Sequence, residues 1–130
     1  DGIRDYKVTG VQTCALPISK LADFTQPDAD LAMTIADEGE KGAADGLATD
    51  AWGRIYTTAG DHDAVLRRNA DGSFTAIARD PRFVWPDGIF ADDRFVYVVL
   101  GQWSRLPGLH GGHDLRRPPY LVARMPISPP

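Results

Sequence analysis

The chain has 130 residues, of which 25% are charged and 43% hydrophobic, and its formal net charge is −4. These are ordinary values for a soluble protein, and the negative balance gives no electrostatic reason to expect nucleic-acid binding. No apolar run approaches the roughly 18–20 residues that span a bilayer, and the single cysteine excludes an internal disulfide. The length alone suggests one globular domain.

The first residues form a segment of distinct character. Residues 1–18 (DGIRDYKVTGVQTCALPI) resemble the conceptual translation of a sequencing-library adapter, with an index barcode at 6–7. Such segments are processing scars and are set aside in fold reasoning. We therefore expect residues 1–19 to be a non-native leader, in which Cys14 says nothing about redox compartment. Residues 20–130 would be an authentic fragment of a longer product. The alternative is that the leader is a natural β-strand.

A short helix is predicted at the start of the authentic chain. Thr25 can cap it, and the proline two residues later suits its first turn. Leu31 and Ile35 lie four residues apart, which places them on one helical face. The pattern predicts a helix over residues 27–37 that packs across a sheet edge, followed by a polar linker over 38–44.

Residues 45–97 contain the same pattern twice. Asp-Gly-Leu-Ala-Thr-Asp at 45–50 precedes a turn and then Arg-Ile-Tyr-Thr-Thr at 54–58. The second copy has Asp-Gly-Ile-Phe-Ala-Asp at 87–92 and, after another turn, Arg-Phe-Val-Tyr-Val-Val at 94–99. A period of about 40–45 residues, built from short strands and tight turns, is typical of a propeller blade. In that architecture, radially arranged sheets bury one another's faces.

Seven strands are predicted along the two copies, and their turns are rich in Gly, Asp and Asn. The predicted strands are residues 46–49, 54–59, 64–68, 73–79, 88–91, 95–100 and 120–125. The first four make a complete blade over 44–80. The last three make an incomplete blade over 85–127, interrupted by a polar excursion over 101–119. We therefore expect an all-β fold, about two blades of a truncated propeller preceded by one short helix. A strand from elsewhere in a longer chain would complete the second blade.

Three segments together resemble a known family. Ala-Ala-Asp-Gly-Leu-Ala-Thr-Asp at 43–50, Trp-Pro-Asp-Gly at 85–88 and His-Gly-Gly-His-Asp-Leu-Arg-Arg-Pro-Pro-Tyr at 110–120 are similar to bacterial members of the major royal jelly protein / Yellow family. The resemblance covers residues 21–127. It implies a six-bladed β-propeller related to the senescence-marker protein/gluconolactonase group, with the missing blades as partners. It also implies an extracellular or periplasmic location and roles that include binding small molecules such as biogenic amines.

Asp45 and Asp87 occupy the same place in the two copies, just before the innermost predicted strand. In a propeller this position lies at one mouth of the central channel, where carboxylates can hold a hard cation such as calcium or pair with an ammonium group. A Pro-Asp-Gly segment of the gluconolactonase group contributes a metal-binding carboxylate, and residues 86–88 resemble it. The resemblance therefore makes Asp87 the candidate calcium ligand. The alternative is that each aspartate caps a turn.

Two further side chains are candidates for ligand contact near the channel mouth. Trp85 could form an aromatic wall for a cationic or flat ligand, or it could pack between neighbouring blades. Gln102 lies just past a strand end and is followed by Trp103, so both have the same two interpretations. The predicted ligand-binding set is therefore Asp45, Trp85, Asp87 and Gln102.

The polar excursion carries a weaker metal pattern. His110, His113 and Asp114 have a spacing that zinc could use, but nothing else in the loop completes four ligands. The alternative is a shaped loop in which local carbonyls satisfy the histidines. Arg116 and Arg117 could contact phosphate, or they could brace the loop by pairing with carboxylates.

Two functions remain open, beside a third interpretation in which this piece is an assembly artefact with no folded function of its own. The first is a small-ligand-binding propeller with no catalysis demonstrable from these residues, and with neither nucleic acid nor a membrane as partner. The second is a metal-dependent lactone hydrolase, in which a cation near Asp87 polarises the carbonyl and activates water. The sequence contains no Gly-x-Ser-x-Gly elbow, phosphate-cradling loop or dinucleotide fingerprint that would indicate other chemistry.

Overall fold

The computed structural model of the chain describes residues 12–15 and 18–129. It consists of two compact units, Asp1–Gly42 and Ala43–Pro130. Most of the regular structure is antiparallel β-sheet, so the protein is mostly β, as the sequence predicts. No helix within the described ranges is long and apolar enough to cross a membrane.

The first unit contains a two-stranded antiparallel sheet and two short helices. Strand β1, Gln12–Ala15, pairs with strand β2, Ala36–Glu40. Helices α1, Ile18–Leu21, and α2, Asp28–Ala32, lie between these strands in the chain. The segment predicted to be a leader therefore contains a strand, as its alternative interpretation requires, while its adapter origin stays a prediction.

The helix predicted over residues 27–37 is too long, because α2 ends at Ala32 and none of its five residues is buried. Thr25 does not cap it, since the Thr25 hydroxyl donates to Asp23 at 2.6 Å instead. A helix this short gains little without a packed face. The polar linker predicted over residues 38–44 is wrong at its start, which belongs to β2 and pairs with β1.

The second unit begins with a four-stranded antiparallel sheet in the order β3-β4-β5-β6. Its strands are β3 (Leu47–Thr49), β4 (Ile55–Ala59), β5 (Ala64–Arg68) and β6 (Phe74–Arg79). The hairpin between β5 and β6 turns through Gly72, whose φ of 86° is a left-handed conformation that favours glycine. All four strands confirm the prediction to within one residue at each end.

The second sheet has three antiparallel strands in the order β7-β8-β9. They are β7 (Pro86–Ala91), β8 (Phe95–Leu100) and β9 (Leu121–Pro126). Strand β7 begins two residues earlier than predicted, and Pro86 lies opposite Leu100 across an irregularity in the register. The predicted excursion between β8 and β9 contains two short 3-10 turns, Trp103–Arg105 and Pro107–Leu109.

One apolar core joins the two sheets. Tyr56 and Val65 of the first sheet and Val96 and Val98 of the second are fully buried in the same cluster. The side chains of β8 alternate, because Val99 lies on the opposite face and is 44% exposed. Burying one valine side chain contributes roughly 1.5 kcal/mol or more. The core therefore holds the two sheets together and fixes their relative position.

The first strands of the two sheets, β3 and β7, approach closely at Gly46. A Cβ atom added to Gly46 would lie 2.5 Å from the carbonyl oxygen of Asp87 and 2.8 Å from the side chain of Ile89. Only glycine fits this contact without a shift of the backbone. The contact places Asp45, next to Gly46 in the chain, beside the first residues of the second sheet.

Candidate functional site

A pocket of about 360 Å³ lies where β3 and β7 meet, and two carboxylates and two indoles line it. The lining residues are Asp45, Trp85, Asp87 and Trp103. Three of them belong to the ligand-binding set predicted from the sequence, and the fourth was a weaker candidate. Asp45 and Asp87, which hold equivalent positions in the two copies of the repeat, therefore lie close together in space.

Asp45 is held in place by strand β4. The hydroxyl of Thr58, a buried residue, accepts hydrogen bonds from the backbone N–H groups of Asp45, at 3.2 Å, and of Gly46, at 3.0 Å. The carboxylate of Asp45 accepts a hydrogen bond from the indole N–H of Trp85. Asp45 therefore binds the aromatic side chain that directly precedes β7 of the other sheet rather than capping its own turn.

Asp87 lies at the second position of β7 and is exposed to solvent in the pocket. Its backbone packs against Gly46, and a Cβ added at Gly101 would lie 3.0 Å from its Oδ2 atom. In the described part of the chain, the Asp87 carboxylate has no hydrogen-bond partner. Two glycines thus bring this carboxylate into position and leave its oxygens available.

Trp85 adopts an uncommon backbone conformation. Its φ is +55°, in the left-handed region, which is unfavourable for a bulky residue by roughly 1–3 kcal/mol. The backbone N–H of Gly101 donates to the Trp85 carbonyl at 2.9 Å and helps to hold this conformation. The indole packs on Gly60, where an added Cβ would lie 3.0 Å from the ring. Such strain is often found at functional sites.

The two indoles form the aromatic part of the pocket. The ring centroids of Trp85 and Trp103 are 5.2 Å apart, and their planes are inclined by 39°. Trp103 is 52% exposed, so one side of this pair remains accessible to a ligand. The packing interpretation of Trp85 also holds, because its ring lies on Gly60, the residue that follows β4 of the first sheet. Packing between the sheets and access to the pocket are therefore compatible in one side chain.

Gln102 is buried and holds the excursion together. Its Nε2 donates to the carbonyl of Arg117 at 2.9 Å, and its Oε1 accepts from the backbone N–H of Arg117 at 2.8 Å. Arg105 Nη1 also donates to Oε1 at 3.2 Å. Both ends of the amide are therefore engaged within the loop, and these contacts position the neighbouring Trp103. Direct ligand contact by Gln102 stays a prediction.

The histidines of the excursion do not assemble a metal site in the described residues, where no three His, Cys, Asp or Glu side chains come together. The Nε2 atom of His110 lies 2.7 Å from the carbonyl oxygen of Ser104. Asp114 pairs with Arg116 at 2.6 Å, and the side-chain and backbone hydrogen bonds from Arg116 lower the Asp114 pKa to about 2. These local contacts match the alternative interpretation of a braced loop.

The pocket residues suit an organic cation better than a calcium ion. Calcium takes 6–8 oxygen ligands. The pocket offers only two carboxylates, and the indole of Trp85 already donates to one of them, that of Asp45. The described residues therefore do not form a complete calcium site. Two anionic groups beside two indole faces can instead attract an ammonium group by charge and by cation–π contact.

Two residues that shape the pocket were missed in the sequence. Thr58 positions Asp45, and Gly60 provides the flat surface for Trp85. The repeat gave no signal for either, because the Thr58 hydroxyl bonds to backbone N–H groups and Gly60 contacts a ring in another part of the chain. The chain matches no protein-family model, and no curated protein matches it either. The structure thus defines a mostly β protein with two packed sheets and an acidic, aromatic pocket.

Proposed function

We propose that this chain is part of a secreted β-propeller of the Yellow / royal-jelly type, located outside the cell or in the periplasm, that binds a small organic cation. Two features support the propeller. The repeated pattern yields a four-stranded and then a three-stranded sheet, and the first strands of these sheets adjoin at Gly46. Further blades of a longer chain would then be the structural partners, and the family-like segments identified above add to this proposal.

The observation that carries the ligand proposal is the composition of the pocket lining. Asp45 and Asp87 supply negative charge, and Trp85 and Trp103 supply aromatic faces within a space of about 360 Å³. Small-ligand pockets have volumes of roughly 300–1,000 Å³. A cation on an indole face gains about 0.5–2 kcal/mol, in addition to its attraction to the carboxylates.

The contacts assign different tasks to the two carboxylates. Asp45 binds the indole of Trp85 and so orients the aromatic wall. Asp87 has free oxygens and is the group that receives the ammonium of the ligand. A primary arylalkylamine matches both features, because its ammonium can reach Asp87 while its ring packs on the indoles.

Calorimetric titration of the 130-residue chain with phenethylamine tests this function. We expect binding, and Asp87→Asn should weaken it by about tenfold or more, since one charge pair contributes on the order of 1.4 kcal/mol. The matched control is Asp93→Asn, which removes an exposed carboxylate that lies outside the pocket lining. Phenethyl alcohol, which lacks the charge, should bind at least tenfold more weakly. Equal affinity for the amine and the alcohol would contradict the proposal.

A metal-dependent lactone hydrolase remains the alternative, because the exposed and unpartnered carboxylate of Asp87 follows the gluconolactonase-like proline. Among the described residues, only Asp45 and Asp87 bring carboxylates to this pocket, so further metal ligands would have to come from elsewhere in a longer chain. Calcium-dependent turnover of a simple lactone by the full-length parent, lost on Asp87→Ala, would favour this enzyme. Amine binding without turnover would favour the binding protein.

A further inference from the structure

A second pocket, of about 350 Å³, lies between the first sheet and the end of the second, and it shares no lining residue with the acidic pocket. The first sheet contributes Arg54, Tyr56, Arg67 and Ile77, and the opposite wall begins at Met125 and continues over residues 126–129. None of its lining residues is acidic. The pocket is thus lined by two guanidinium groups and a largely apolar wall.

The first guanidinium already binds oxygen acceptors. Arg54 Nε donates to the carboxylate of Asp50 at 2.6 Å, and its Nη1 donates to the carbonyl of Ser128 at 2.8 Å. Its Nη2 atom is buried and has no hydrogen-bond partner in the described residues. The charge of Arg54 is balanced by Asp50, but its hydrogen-bonding capacity is not used up.

The second guanidinium supplies unbalanced charge. Arg67 lies in β5 directly opposite Tyr56 of β4, and it is half-buried. In the described part of the chain, the Arg67 guanidinium has neither an ion-pair nor a hydrogen-bond partner. With Asp50 balancing Arg54, the pocket therefore carries one uncompensated positive charge beside the apolar side chains of Ile77, Met125 and Ile127.

We propose that this second pocket binds a small monocarboxylate with an apolar body. A guanidinium presents parallel N–H donors that match the two oxygens of a carboxylate. Arg67 receives the carboxylate, and Ile77, Met125 and Ile127 contact the apolar body. One negative charge on the ligand balances the one free positive charge of the pocket. The ligand of this site thus has the opposite charge to the amine proposed for the acidic pocket.

Titration of the 130-residue chain with octanoate, followed by calorimetry, tests this inference. We expect binding that Arg67→Gln weakens about tenfold or more and that Arg67→Lys partly retains, because lysine keeps the charge but loses the planar fork. The matched control is Arg79→Gln, an exposed arginine on the neighbouring strand β6, which should leave binding unchanged. The urea midpoint of each variant verifies that it is folded.

Three results would overturn the inference. The first is that octanoate does not bind at millimolar concentration. The second is that octanamide, which is neutral, binds as tightly as octanoate. The third is that inorganic phosphate binds as well as octanoate, which would show that the apolar wall has no part. Phenethylamine binding should be unaffected by Arg67→Gln, so the result is independent of the proposal for the acidic pocket.

Discussion

Both copies of the repeat close their first turn with an aspartate, and the environments of the two aspartates differ. In the first copy, Asp50 accepts backbone hydrogen bonds from Trp52 and Arg54 at 2.9 and 3.0 Å. Its second oxygen accepts from the side chains of Arg54, at 2.6 Å, and Tyr56, at 2.8 Å. Asp50 is only 6% exposed and Tyr56 is fully buried. All four bonds therefore lie in or next to the core.

The second copy repeats the arrangement near solvent. Asp92 accepts backbone hydrogen bonds from Arg94 at 2.7 Å and Phe95 at 2.6 Å. Its other oxygen accepts from the hydroxyl of Tyr97 at 3.3 Å, a long bond. Both Asp92 and Tyr97 are half-buried. The local turn is thus the same, while the charge-assisted contacts around it are fewer and weaker.

The difference arises from the arginine at the end of each turn, since Arg54 pairs with Asp50 at 2.6 Å and Arg94 does not pair with Asp92. The first turn meets the segment after β9, because Arg54 donates to the carbonyl of Ser128. The second turn also meets that segment, because the backbone N–H of Ile127 donates to the carbonyl of Arg94 at 2.8 Å, but the Arg94 side chain is exposed and approaches Asp93, at 3.8 Å, instead of Asp92. Burial opposes ionisation of Asp50, but the hydrogen bonds from Arg54 and Tyr56 outweigh it and lower the Asp50 pKa. The same kind of turn thus becomes part of the core only where its arginine is largely buried and pairs with the aspartate of the turn.

Asp50→Ala is expected to reduce the free energy of unfolding more than any other substitution considered. It leaves the buried donors of Arg54 and Tyr56 without their acceptor, and breaking a buried ion pair typically costs about 3 kcal/mol or more. Asp92→Ala should reduce the free energy of unfolding by less than half as much, since its partners can turn to water. Urea unfolding followed by fluorescence measures both. Equal losses in the two variants would show that burial does not distinguish the turns.

The glycines that follow Asp45 and Asp87 extend the same comparison. A Cβ at Gly46 would collide with the backbone of β7, whereas one at Gly88 would have Val99 at 3.9 Å as its nearest neighbour. We expect Gly46→Ala to cost about 2 kcal/mol through overpacking and to weaken phenethylamine binding by displacing Asp87. Gly88→Ala should be close to neutral. A neutral Gly46→Ala would mean that β3 and β7 do not meet as described.

The tyrosines that bond to the two turn aspartates, Tyr56 and Tyr97, should differ less in their contribution to stability. Tyr56→Phe should cost about 1.5 kcal/mol by removing a buried hydrogen bond to a charged group, and Tyr97→Phe less than about 0.5 kcal/mol. Burial and then the Asp50 hydrogen bond raise the Tyr56 pKa from 10.0 to about 12. Because the folded-state pKa is raised, the Tyr56 hydroxyl contributes fully to the free energy of unfolding below pH 10. This contribution is lost as the pH rises toward 12. Tyr56→Phe should therefore flatten the alkaline fall in stability, and an unchanged profile would contradict this assignment.

The seven strands of the second unit could be predicted because alternation, turn residues and the repeat agree there. In the first unit, α2 lacks a packed face, and β2 is polar and pairs with a segment that the sequence argument set aside. Local pattern therefore gave too long a helix and missed a strand.

The acidic pocket was partly predictable for a related reason. Asp45 and Asp87 hold equivalent places in the repeat, so adjacent sheets bring them together. The roles of Gln102 and Gly60 depend on irregular loop structure and on a contact between the sheets. Gln102 binds Arg117 fifteen residues away, and Gly60 meets the ring of Trp85. Neither contact follows a period, so the sequence gives no signal for it.

Removing one of the exposed arginine–aspartate pairs should change the free energy of unfolding least. Hydrogen bonds from Arg82 and Arg116 lower the pKa values of Asp80 and Asp114 from 3.8 to about 2. Because the folded-state pKa lies below the unfolded value, each pair contributes above about pH 4 and is lost as pH falls toward 2. Asp114→Asn should therefore reduce the acid dependence of the urea midpoint only slightly, and salt should reduce it further, because exposed pairs are screened. Asp50→Asn should change the acid dependence of the urea midpoint more than Asp114→Asn does, because Asp50 is buried and Asp114 is exposed. The opposite order would contradict the comparison, since burial would then not determine the strength of these contacts.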